Sequence, residues 1–136
     1  MKKRKLKKLV IINNKVDKIQ ITDIIKTYHT WFAYSKSHDF EEMLNITVPN
    51  SKFSEITNLC KKSWALGINF YYEFSSVKVI KIISTPHSAL VEGNIMLFQS
   101  NKKLNFKGKF QSSCLFEIID NNKNSWKLNE IEIEWL

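Results

Sequence analysis

Glycine and proline are scarce in this chain, with three glycines and two prolines in 136 residues. That excludes collagen-like repeats and Gly/Pro-rich linkers. Cys60 and Cys114 are the only cysteines. Two thiols make no disulfide framework and have no zinc-ligand spacing, so a reducing compartment is expected. No apolar run approaches the roughly 18–20 residues of a membrane span. Met1-Lys2-Lys3-Arg4-Lys5 is followed only by Leu9-Val10-Ile11-Ile12 before Asn13. This falls short of the apolar stretch of about 7–15 residues in an export signal, so export by that route is not expected. A Gly-rich phosphate loop, G-x-S-x-G, H-E-x-x-H and any repeat of 20–50 residues are all missing.

What remains is the composition of one ordinary globular unit, 43% hydrophobic and 25% charged. At 16.0 kDa, folding hides about two-thirds of the unfolded surface, about 7,400 Å² staying exposed of about 23,000 Å². One core fits and two domains do not. The net charge of +8 is concentrated at the front, in Lys2, Lys3, Arg4, Lys5, Lys7 and Lys8. No acid precedes Asp17, and residues 9–136 carry only +2. The expected organisation is a basic tail over residues 1–15 and one domain over 16–136. Six cations bind an anionic lipid surface with at most about 6 kcal/mol, a dissociation constant in the tens of micromolar. Six phosphate contacts on RNA or another nucleic acid predict a salt slope near about −5. The tail is therefore an auxiliary contact to an acidic surface.

Ile21, Ile24, Ile25, Tyr28, Trp31 and Phe32 recur at spacings of three, four and seven. This predicts a helix over 18–36, with Asp17 and Gln20 as its capping pair. Ser37-His38-Asp39 breaks it, and Asp39 is placed to cap a short helix from Phe40 to Leu44. A third helix follows Pro49-Asn50-Ser51 and runs to Leu66. Phe53, Ile56, Leu59, Cys60 and Trp64 share its apolar stripe, and Gly67 is its stop. After Gly67 the period becomes two. Phe70, Tyr72 and Phe74 alternate, the phase slips at Ser75-Ser76 as at a bulge, and Val77 and Val79 resume. Pro86-His87-Ser88 reads as a turn. Ala89 to Leu97 and Leu104 to Ile118 form two more alternating strands. Trp126 to Trp135 forms the fourth, with a slip near Asn129-Glu130. Short connections make the strands antiparallel neighbours, and the helices are the available cover for one face. The expected fold is α+β: three N-terminal helices packed on a curved four-stranded antiparallel sheet, a cone.

Candidates for chemistry are few. His29 borders the first helix's apolar stripe, but Asp23, six residues away, does not share its face. His38-Asp39 sits at a helix boundary, where capping accounts for the aspartate. His87 follows a proline and reads as a surface residue. No metal set and no cofactor is indicated. Tyr71 is out of phase with Phe70 and Tyr72, so it faces outward. Phe98 or Trp135 would join it in an exposed patch. Tyr28, Trp31, Tyr71, Phe98 and Trp135 are the candidate contacts for a protein partner.

A set of degenerate matches in fixed order extends over about 100 residues. It comprises Trp31, His38, Leu44, Ala65-Leu66-Gly67 before Phe70-Tyr71-Tyr72, Val77, Ala89, Val91-Glu92-Gly93 and Ser125-Trp126-Lys127-Leu128. In these the chain resembles the inter-membrane-space-type domain of plastid-division proteins and their cyanobacterial counterparts, a family with the nuclear-transport-factor-two-like (cystatin-like) cone fold. The resemblance implies a non-catalytic domain that docks a peptide of another protein, in a plastid stroma or cyanobacterial cytoplasm, at or near a membrane. The abundance of Lys, Asn and Ile suits an AT-rich plastid or cyanobacterial genome. The function expected from the sequence is a non-catalytic accessory or assembly factor. A small cone-fold enzyme with a pocket acid or base is one alternative, and an accessory subunit of a ribosome or nucleic-acid assembly is another.

Overall fold

The computed structural model describes residues 15–84, 87–99, 104–119 and 123–136. The tail cations Lys2, Lys3, Arg4, Lys5, Lys7 and Lys8, the side chain of Asp17, and the turns at Pro86, 101–103 and 120–122 lie outside these residues.

Helix α1 (Lys15–Lys36) buries Ile24, Tyr28, Trp31 and Ser35 on one stripe, as the three-four spacing requires. Helix α2 (Phe40–Asn45) follows after one bent turn. Asp39 stands at its N-cap position but makes no side-chain cap bond. Its backbone carbonyl accepts from the Met43 N–H instead. Helix α3 (Lys52–Ala65) is capped by Ser51, whose hydroxyl accepts from the Ser54 N–H. Gly67, at φ +82°, ends it in the left-handed conformation that glycine adopts without a Cβ clash. The α3 stripe is narrower than expected. Phe53, Ile56, Thr57 and Cys60 are buried, while Leu59 is 61% exposed because it lies about 60° round the helix from Ile56.

Strands β1 (Phe70–Ser84), β2 (His87–Gln99), β3 (Leu104–Ile119) and β4 (Lys123–Trp135) pair consecutively and antiparallel. His87 and Ser88 belong to β2 and not to a turn. The register shifts between Phe74 and Ser76 and between Ser112 and Cys114, the latter facing Asn129-Glu130, so both expected slips are present. A third, between Val79 and Lys81, is masked in the sequence by the apolar run Val79-Ile80. At the first bulge the β1 backbone presses on β2. A Cβ on Gly93 would sit 2.0 Å from the Ser76 carbonyl oxygen, so only glycine fits. The Asn94 N–H and Nδ2 both donate to Ser76 Oγ, at 3.1 and 3.0 Å.

These bulges bend the sheet around α1. The wrapped face carries Phe74, Ala89, Val91, Ile95, Phe110, Cys114, Trp126, Leu128 and Ile131, all buried with Tyr28, Trp31 and Phe53. Each large side chain buried there stabilises the fold by about 1.5–3 kcal/mol. Residues 46–48 run beside β4, where the Val48 N–H donates to the Leu128 carbonyl and the Leu128 N–H to that of Ile46. The architecture is the expected one, three helices on one face of a curved four-stranded sheet.

Candidate functional site

Two of the five expected contact residues are sealed inside. Tyr28 is 0% and Trp31 1% exposed, so neither can touch a partner, and both correct the sequence reading. Their polar atoms are satisfied internally. The Tyr28 hydroxyl donates to Ser112 Oγ at 2.6 Å, and Ser112 donates onward to the Glu130 carbonyl at 2.7 Å. Trp31 Nε1 donates to Thr57 Oγ1 at 3.1 Å. Tyr28 and Trp31 both pack against Phe53 and Phe74. Tyr71 and Phe98 do meet on the outer face, half-buried, as rings stacked at 5.0 Å and 13°. Trp135 does not join them. It pairs with Gly108 on the wrapped face and meets Phe106 edge-on at 6.4 Å. The five residues therefore make no single patch.

The centre of the cone is chemically quiet. Burial pushes the thiols of Cys60 and Cys114 up to about 12, so neither is a thiolate nucleophile near neutrality. Burial raises the Tyr28 phenol well above its ordinary value, with Cys114 adding to the rise and the Ser112 hydrogen bond opposing it. Tyr72 is pushed up to about 12, mainly by burial and further by Cys60.

The three histidines stand in three different settings. His29 and Asp23 are both exposed, and no acid/base pair forms between them. His38 sits at φ +62° between α1 and α2, its ring stacked on Trp64 at 3.7 Å and 15°. Its Nε2 lies 2.9 Å from Asn69 Oδ1, tying the end of α1 to the approach to β1. His87 overturns its reading as a surface residue. It occupies the wrapped face at the other end of the cone, half-buried, with ring centroids 4.5 Å from Phe116 and 5.3 Å from Trp126. Its Nε2 is 2.6 Å from Gln20 Oε1. An amide oxygen only accepts, so Nε2 carries the hydrogen and Nδ1 keeps the lone pair in the neutral ring. An oriented imidazole with one defined basic nitrogen, walled by two aromatic rings, is a proton-transfer group in form. Gln20 lies inside α1, which begins at Lys15, and its side chain bonds His87 instead of capping the helix start as the sequence suggested. The site went unseen because Gln20 and His87 are 67 residues apart and carry no motif.

No protein-family model matches the chain, and no curated protein matches it. Among solved structures it is similar to ActVI-ORFA from Streptomyces coelicolor, with a TM-score of 0.53 and 10% identity, over 84% of this chain and 95% of that one. At that identity the likeness shows the fold alone, a nuclear-transport-factor-two-like cone. The link to plastid division is not shown by it. The expectation of a non-catalytic plastid or cyanobacterial binding module is corrected on this finding. The likeness runs to a Streptomyces cone protein, and two of the residues meant to dock a partner are core.

Proposed function

We propose that the chain is a small cone-fold enzyme that moves a proton on a small, largely apolar organic molecule, with His87 as the acid/base group. The observation that carries this is the His87–Gln20 pair between Phe116 and Trp126. Gln20 fixes the tautomer without adding charge, so Nδ1 keeps the lone pair that accepts a proton from a substrate and returns it in a later step. The ring walls favour a substrate with little polar surface, and a carbonyl compound acidic at its α-carbon suits an imidazole base.

The test uses a panel of small ketones and esters in D₂O. Proton NMR reads exchange of the α-hydrogens, and ¹⁵N-labelled protein reports where each compound binds. The parent is expected to catalyse exchange of at least one compound that perturbs Gln20, His87 and Trp126, and His87→Gln to abolish that exchange. Exchange that survives in His87→Gln, or compounds that bind only elsewhere, would overturn the reading.

A further inference from the structure

Strand β1 stands at one edge of the sheet. Among the described residues its backbone bonds run to β2 alone, whereas the free side of β4 is joined at Leu128 by residues 46–48. The stretch from Val77 to Ile83 is aliphatic except for Lys78 and Lys81, and each of its aliphatic side chains is only half-buried. The neighbouring strand β2 buries Ala89, Val91 and Ile95. A long apolar edge with open N–H and C=O groups is a template for another strand.

The charges on β1 are Glu73, Lys78 and Lys81. Lys78 has an opposite charge, Glu92, directly beside it on β2. Glu73 lies beside Met96 and Lys81 beside Leu90, and among the described residues neither forms an ion pair within 4.0 Å. Lysine on an edge deters foreign strands, but a second β1 laid antiparallel along this edge answers both charges. Side chains must keep to one face across the new pair. Tyr72, Phe74, Val77, Val79 and Ile82 point to the wrapped face. Tyr71, Glu73, Ser76, Lys78 and Lys81 alternate with them on the outer face, the register shifts at Ser75 and Ile80 taking up the changes of phase. Near the middle of the strand, two-fold centres at Val77 and at Lys78 match face to face. A centre at Lys78 sets that lysine against itself. A centre at Val77 sets Glu73 opposite Lys81 twice, Ser76 opposite Lys78, Tyr72 opposite Ile82 and Val77 against its own copy. Opposite charges directly across a strand pair stabilise it, and like charges destabilise it.

We infer that the free edge of β1 pairs with the same edge of a second copy of this chain about a two-fold at Val77, joining two sheets into one. The contact runs edge to edge and leaves the outer face bare. Sedimentation equilibrium on the full chain tests it, with far-UV circular dichroism as the check on folding. The parent is expected to dimerise. Glu73→Lys and Lys81→Glu should each raise the dimer Kd by about tenfold, since each sets like charges together twice. The double reversal, Glu73→Lys with Lys81→Glu, should restore the parent Kd. Facing Cα atoms at the centre of such a pair lie about 4.5–5.5 Å apart, within disulfide reach. Mild oxidation of Val77→Cys is therefore expected to give a dimer linked through residue 77, seen on a non-reducing gel and by mass spectrometry. Cys60 and Cys114 are buried, so the oxidised parent should show no linked dimer. A parent that is monomeric to about 1 mM overturns the inference. So do single reversals that dimerise as the parent does, a double reversal that stays weak, or a Val77→Cys variant that forms no link.

Discussion

At each end of the cone a histidine ring is anchored through Nε2 to a side-chain amide oxygen, His38 to Asn69 and His87 to Gln20. The two pairs share chemistry and differ in surroundings. His38 lies on a bent turn at positive φ, one ring face flat against Trp64. Its contacts are those of a joint between α1, α2, α3 and β1. His87 lies on a regular strand under the first turns of α1, against two rings that belong to the sheet. Each ring ties two segments together through one nitrogen and keeps the other lone pair. The difference lies in which elements meet the imidazole, not in the imidazole.

Breaking that comparison begins with turnover. His87→Ala is expected to lower any catalysed exchange by about 10²–10⁴-fold, the usual worth of a general acid/base, while His38→Ala leaves the rate constant of the folded enzyme unchanged. Equal losses in both, measured at matched folded fraction, would erase the distinction. The region between the two ends should respond to alkali. The thiols of Cys60 and Cys114 have folded values of about 12 against 9.0 unperturbed. Stability is then complete below about pH 9 and falls as pH rises toward 12, by up to about 1.4 kcal/mol per pH unit per thiol. Urea midpoints at pH 8, 9.5 and 10.5 should fall in that order, and Cys60→Ala should flatten the decline.

Gln20→Glu sharpens the His87 end. A carboxylate in place of the amide pairs with imidazolium, so the His87 ring NMR signals at a fixed near-neutral pH should move toward those of the protonated ring, while those of His38 stay in place. The smallest effects belong to the His38 end. His38→Ala should cost about 1–2 kcal/mol in urea unfolding, from the lost hydrogen bond and stacking. His38→Gly should cost less than His38→Ala, because glycine accepts the positive φ.

Much of the fold was legible in the sequence because its signals are local. The three-four spacing of Ile24, Tyr28 and Trp31 placed α1. Ser51 and Gly67 bracketed α3. The change of period at Phe70 announced the strands, and short connections left consecutive antiparallel pairing as the simple topology. Even the bulges at Ser75-Ser76 and opposite Asn129 were visible as breaks in alternation. The candidate site was not legible. A proline before His87 suggested a turn, and a helix start suggested a cap for Gln20, since each residue was judged by its neighbours in the chain.

What the sequence determined by itself is therefore the order, type and pairing of elements, together with Tyr71's turn to the outer face, because side-chain period and strand alternation are properties of adjacent residues. Only the tertiary structure decided that Tyr28 and Trp31 are interior, that Trp135 sits apart from Tyr71 and Phe98, and that His87 meets Gln20. Burial and hydrogen-bond partnership depend on residues tens of positions away, such as the 84 separating Tyr28 from Ser112. The curvature of the sheet brings them together, and composition does not.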